Sequence, residues 1–365
     1  MNVAILSSAR WSSFWVSKQL VARALARLQH DVLYVDPPVS PLSLIRQPAR
    51  LSDLLGPRDD ERDGVRVWRP RAMPGQNSGI GQAVNASLLT KGLYKRMPDI
   101  DLAVAFSLES RALFAKVDAP RAYYCTDSLE DLPGADAKAC RDRELELAAK
   151  ADVTVACSLP LVDQLRSRGV DAVYLPHATD PMPPPVDTPL PEALRGARRP
   201  FLGYVGSLNF RLDVDLLQSA TRCGTLVVIG GGFGPKPSAA VSDLLASGKV
   251  VVTGHQPPEL LPQWFQHLDV GLIPYTDSSF NRKSFPIKLL QYLAAGLPVV
   301  STSNGATDEH GSLVHVASNP TEFEEAIGRA VASDSPSQRE NRRRAATSRT
   351  WVDVANALLD QVSAT

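Results

Sequence analysis

Short apolar, β-branched runs alternate along the whole chain with longer stretches whose apolar residues recur at helical spacing. This alternation predicts α/β layering around parallel sheets. In the first half, the runs at 2–6, 31–35, 65–69, 102–106, 121–125, 152–156 and 172–175 read as strands, each short enough to be fully buried. Between the first two, Val16, Leu20, Ala24 and Leu28, with Val21 and Leu25, fall on one face of a helix. The segment 178–192 is crowded with prolines, which suit neither a helix nor a central strand, and reads as a stiff extended connection. The rhythm then restarts, with strands expected at 201–206, 225–230, 249–253, 269–274, 297–302 and 313–317. The stretches starting at Leu212, Pro258 and Ile287 carry helical patterns between them.

Two α/β domains follow from this pattern: residues 1–180, a Pro-rich linker at 181–199, and residues 200–346. The tail, 347–365, places Trp351, Val354, Ala355, Leu358 and Leu359 in a stripe that must be buried. It could cap the second domain or cross back; the reading adopted is that it returns to the first.

Composition narrows the possibilities. Of 365 residues, 44% are hydrophobic, enough for two cores, and Lys+Arg balance Asp+Glu at 39 each. No global field attracts nucleic acid, so any anion site must be local. The start of the chain lacks the layout of a signal peptide, and no apolar stretch is long enough to cross a bilayer. Cys125, Cys140, Cys157 and Cys223 are scattered and read as reduced thiols in a cytoplasmic protein, without a structural metal. Six Lys/Arg against two Asp in residues 1–50, beside Trp11, Phe14 and Trp15, would suit peripheral contact with the inner face of the cell membrane; core or pocket filling is the simpler use of these aromatics.

The most informative stretch is 279–302. Ser284 is suited to cap a helix, Pro286 to its first turn, and Gly296 to its end. Lys288 is the odd residue, because a cation in a first helical turn opposes the helix dipole. A bound diphosphate would compensate, since free amides at a helix start attract anions, and Arg282 and Lys283 precede it. The bland alternative is a set of solvated loop cations.

The run PIKLLQYLAAGLPVVST (286–302) resembles the donor-site signature of GT-B-fold glycosyltransferases of the retaining family 4 type. It is similar in particular to their teichuronic-acid and exopolysaccharide branch, with the pattern Pro-x-Lys-Leu-x-Glu-Tyr-Leu-Ala-x-Gly-x-Pro-Val-Val. The segments 203–217, 250–275 and 123–134 resemble that branch in order and spacing. The resemblance implies two Rossmann-like, doubly wound domains facing a cleft, with a C-terminal crossover helix. It implies an enzyme taking a nucleoside diphosphate sugar in the second domain and a glycan, lipid-linked or small-molecule acceptor in the first. By position, Arg211 and Lys288 would hold the diphosphate, and Gly206, Ser207 and Gly230, Gly231 and Gly232 would let the backbone approach it. His255 and Gln256 would lie near the base, and Ser284 in the donor loop. Two departures stand out: Lys283 and Gln291 occupy the places of the family's paired glutamates. Gln291 can still hydrogen-bond a ribose, without the strength of a carboxylate; Lys283 cannot replace a glutamate. These departures motivate an alternative, a non-catalytic GT-B subunit that binds a partner transferase. A nucleotide-sugar 2-epimerase is a further alternative on the same fold.

Asp127 follows the strand at 121–125 and is the candidate general base for an acceptor hydroxyl, or a cap for the next segment. His177 reads as a turn residue. A dinucleotide fingerprint at 230–235 fails because Pro235 stands where a third glycine is needed. Asp213 and Asp215 read as dipole partners at a helix start rather than metal ligands, and the donor is expected to need no cofactor or metal.

Overall fold

A computed structural model describes the chain except residues 14, 40–57, 73–78, 184–187 and 233–237. Phe14, Arg46, Arg50 and the end of the glycine run at 233–235 therefore lie outside the described residues. The chain divides into two compact units, Met1–His177 together with Trp351–Thr365, and Ala178–Thr350.

The first unit holds one sheet. Its strands in chain order are β1 (Asn2–Leu6), β2 (Asp31–Val35), β3 (Asp59–Arg62), β4 (Val65–Trp68), β5 (Leu102–Ala105), β6 (Arg121–Cys125), β7 (Val153–Ala156) and β8 (Ala172–Tyr174). They lie in the order β3-β4-β2-β1-β5-β6-β7-β8, parallel except for β3 on β4. The chain runs outward from β1 on one side and from β5 on the other, so the topological switch lies between these two strands. Apart from Asp31 and Arg121 at their first positions, β2 and β6 are buried throughout, as are all of β5 and β7, as expected of strands covered on both faces. The edge strand β3 was not foreseen, because its residues Asp-Asp-Glu-Arg carry no apolar alternation. The signal was the following pair: Asp63 and Gly64 have φ of 55° and 74°, the turn geometry that Asp-Gly favours in a two-residue hairpin.

The helix Ser17–Arg27 follows β1, and the last helix, Trp351–Ser363, packs on it. Trp351, Val354, Ala355, Leu358 and Val362 are its buried face; Leu359, expected in the stripe, is only half-buried. Trp351 also lies 5.7 Å from the buried His177 ring, so that histidine belongs to a packed core rather than an open turn.

The second unit has strands β9 (Phe201–Gly206), β10 (Thr225–Gly230), β11 (Val250–Val252), β12 (Val270–Ile273), β13 (Val299–Ser301) and β14 (Val314–Val316). They form an all-parallel sheet in the order β11-β10-β9-β12-β13-β14. Its switch point lies between β9 and β12. The segment expected to be a linker is in part packed on this unit: Leu194 is fully buried, Thr188 meets His267 at 3.2 Å, and the Arg198 carbonyl accepts from Thr225. No helix among the described residues is long and apolar enough to cross a membrane.

Candidate functional site

Open parallel sheets bind ligands beyond the carboxyl ends of their strands at the switch point. In the second unit, β9 ends at Gly206 and leads through a short loop to Arg211, while β12 leads to Tyr275 and then to the helix Ile287–Ala294 carrying Lys288. The two loops are stitched together. The Asp213 amide donates to the Pro274 carbonyl at 2.9 Å, and the Thr276 amide to the Arg211 carbonyl at 2.8 Å. Asn281, fully buried at the heart of the short helix Ser279–Lys283, completes the seam: its amide nitrogen donates to the Arg211 and Thr276 carbonyls at 3.1 and 3.0 Å.

Arg211 is held by neutral partners. Its Nε donates to Asn281 Oδ1 at 2.9 Å and its terminal nitrogen to Ser284 Oγ at 2.7 Å, with the guanidinium 4.3 Å from the Tyr275 ring centre. Lys288 Nζ lies 4.1 Å from the Tyr204 ring centre and 5.4 Å from that of Tyr275. Arg211 and Lys288 therefore lie against one ring, and neither has a carboxylate partner among the described residues. Lys288 is half-buried. Burial first, and the Arg211 charge second, push its pKa well below the usual lysine value. Two basic side chains set about the Tyr275 ring, without a carboxylate partner among the described residues, make this the candidate anion site.

The backbone around the ammonium is glycine for a steric reason. Gly206 has φ of 133°, and a Cβ there would lie 3.1 Å from Lys288 Nζ. A Cβ on Gly230, φ 124°, would lie 2.7 Å from the Gly206 carbonyl oxygen, which also accepts from the Gly231 amide at 3.1 Å. Gly231 and Gly232 continue at φ 89° and 120°, and a Cβ on Gly232 would face Ser207 Oγ. Gly206, Ser207 and Gly230, Gly231 and Gly232 thus form one wall beside Lys288.

The helix start differs from the expectation. Pro286, not Ser284, occupies the N-cap, and it contributes no side-chain cap. Ser284 instead ends the preceding helix; its buried hydroxyl donates to the Asn281 carbonyl at 2.9 Å and accepts from Arg211. The cap is displaced because Ser284 is recruited to orient the guanidinium. Gln291, one turn beyond Lys288, is half-buried, and no described residue hydrogen-bonds its side chain. Lys283 is half-buried and Arg282 pairs with Asp277. His255 is exposed after β11, and Gln256 folds back to the Thr253 carbonyl at 3.0 Å. Asp213 is a helix cap, accepting from the amides of Asp215 and Leu216.

The sequence reading did not single out Asn281, Tyr204 or Tyr275. The local hint was an asparagine placed directly before two cations, and nothing in spacing links Tyr204 to Lys288.

In the first unit, Asp127 follows β6 and does not cap the next turn, whose N-cap is Ser128. It pairs at 3.6 Å with Lys18 Nζ, which donates to Thr126 Oγ1 at 2.8 Å. Lys18 sits in the first turn of the helix after β1, only 6% exposed, and was missed because a lone lysine in a helical pattern reads as surface. Trp11 is buried, packing edge-on to Trp15 and Tyr34 at 5.3 and 5.0 Å. The Trp11 amide donates to Asp36 Oδ1 at 2.8 Å; burial raises the Asp36 carboxyl to about 6.

Residues 199–333 match the glycosyl transferases group 1 family. Over 118 residues the chain is 30% identical to a protein designated the teichuronic acid biosynthesis glycosyltransferase TuaH of Bacillus subtilis (strain 168), a match spanning 32% of this chain and 30% of that protein. Among solved structures, the sucrose-phosphate synthase (tll1590) of Thermosynechococcus elongatus superposes with a TM-score of 0.72 at 16% identity, over 100% of this chain and 99% of the other. Anabaena Alr3699/HepE, solved in complex with UDP-glucose, gives 0.73 at 13% identity over 100% of both chains. An α,α-trehalose-phosphate synthase (UDP-forming) of Burkholderia vietnamiensis gives 0.69 at 14% identity, also over 100% of both. The chain thus has the GT-B fold, and the stretch that matches the glycosyl transferases group 1 family lies within its second unit.

Proposed function

We propose that this protein transfers a sugar from a nucleoside diphosphate sugar to a hydroxyl of a glycan, lipid-linked or small-molecule acceptor, with retention of anomeric configuration. The observation that carries the reading is the pair Arg211 and Lys288, set about one tyrosine without a carboxylate at the switch point of a glycosyltransferase domain. When the bond to the sugar breaks, negative charge accumulates on the departing diphosphate, and pre-placed cations stabilise that charge more than the ground state. The glycine wall lets backbone amides approach the same oxygens. Side chains supply the neutralising charge, so turnover is expected to survive EDTA. Uridine is the first nucleotide to test, because two proteins of the same fold are described with UDP or UDP-glucose. Gln291, one turn along from Lys288, is the residue proposed to meet the ribose hydroxyls.

Asp127, oriented by Lys18 and Thr126, is the residue proposed to position the acceptor hydroxyl. Retention follows from the family resemblance and is read from the anomeric signal of the product by NMR. The decisive screen measures thermal shifts with UDP, GDP, dTDP and their sugars, because ligands of the folded state raise apparent stability. Stabilisation that disappears in both Arg211→Met and Lys288→Met supports the reading; stabilisation unaltered in both overturns it. A second reading, a GT-B subunit that binds donor without turnover, is favoured by Lys283 and Gln291 at the family's glutamate positions. Release of UDP from UDP-sugar by the purified protein excludes it.

A further inference from the structure

The rings packed on Arg211 are buried: Tyr275 is 3% and Phe280 6% exposed. Phe210, the residue just before Arg211, is 51% exposed. Its ring meets Phe280 edge-on at 5.9 Å, and Phe280 in turn lies 5.1 Å from the Arg211 guanidinium. The loop is fixed on either side of Phe210: Asn209 Oδ1 accepts from the Arg211 amide at 3.1 Å and the Asn209 carbonyl from Leu212. Phe210 therefore presents an uncovered aromatic surface from an anchored turn, beside the cation that faces the proposed diphosphate.

We propose that Phe210 is the platform on which the sugar ring of the donor stacks. This rests on the diphosphate reading of the site and adds the residue that reads the other half of the ligand. The sugar is joined to the terminal phosphate through a single oxygen, so it must lie close to whatever grips that phosphate. A pyranose has a face of C–H bonds made electropositive by neighbouring hydroxyls, which complements the negative face of an aromatic ring. The base, at the far end of the diphosphate, has no such constraint. A single exposed ring is also too small a patch for a stable protein or membrane interface.

The experiment compares the wild-type protein with Phe210→Ala and Phe210→Trp, using calorimetry with UDP and UDP-glucose, and with the GDP and dTDP pairs if those bind instead. In Phe210→Ala the free nucleoside diphosphate should bind within about twofold of wild type, while its sugar conjugate weakens roughly five- to tenfold. Phe210→Trp should restore the conjugate. Equal weakening of both ligands would make Phe210 a structural part of the loop and overturn the proposal, as would a conjugate affinity that does not change. Failure of the wild-type protein to bind any member of the panel would sink the diphosphate reading itself, a result separable from either of these.

Discussion

Lys288 offers the sharpest test of the site, because its environment couples anion binding to a proton. In the free protein, burial and the neighbouring Arg211 charge depress its pKa, whereas the Tyr204 and Tyr275 rings favour the cation by only ~0.5–2 kcal/mol. A diphosphate supplies the missing counter-charge and raises the pKa again. The bound protein then holds more protons than the free one, so affinity must fall as pH rises through the free-state pKa, by up to about tenfold per pH unit. Below that pKa, affinity should be flat. Removing the ammonium forfeits a charge-assisted contact of ~1.5–3 kcal/mol, or roughly 10- to 150-fold in Kd. Titration calorimetry with UDP in buffers of differing ionisation enthalpy reads the proton uptake directly. Lys288→Met should weaken binding and abolish the buffer dependence. Unchanged affinity in that variant, or uptake that persists in it, would refute the assignment of the anion to Lys288.

Two other substitutions probe the supports of the site, and a third probes a buried acid of the first unit. Gly230→Ala places a Cβ against the Gly206 carbonyl at a φ that side chains rarely adopt, and should cost about 1–3 kcal/mol in urea denaturation. Tyr292→Phe removes the hydroxyl that accepts the Val205 amide at 2.8 Å just before the glycine wall; losing ~1–3 kcal/mol of stability is the expected outcome, and a neutral result would show that another acceptor takes over. Asp36, raised to about 6 by burial, holds more protons in the native than in the unfolded state between the ordinary aspartate value and 6. Its contribution to stability is therefore present at low pH and lost as pH rises through 6. Asp36→Asn should remove that slope from denaturation curves measured from pH 4 to 7 while leaving an acceptor for the Trp11 amide.

Local chemistry determined much of this protein directly from its sequence. Thirteen strands were legible as short apolar runs. The central ones need little else because they are buried on both faces, and the partly buried edge strands β8, β11 and β14 still carry valine-rich or apolar runs. The helix carrying Lys288 was legible with its stop, Gly296 at φ 82°. Polar β3 escaped because its pairing, not its composition, makes it a strand. The tertiary structure alone decided what surrounds the cations. Arg211 and Ser284 are 73 residues apart, and only the divergence of the chain from β9 and β12 brings them together. The same holds for Lys18 and Asp127, which no local spacing connects. Periodicity reports the face that a residue presents to its own element. A site at a switch point is built from loops of different elements, and its partners are chosen by sheet order.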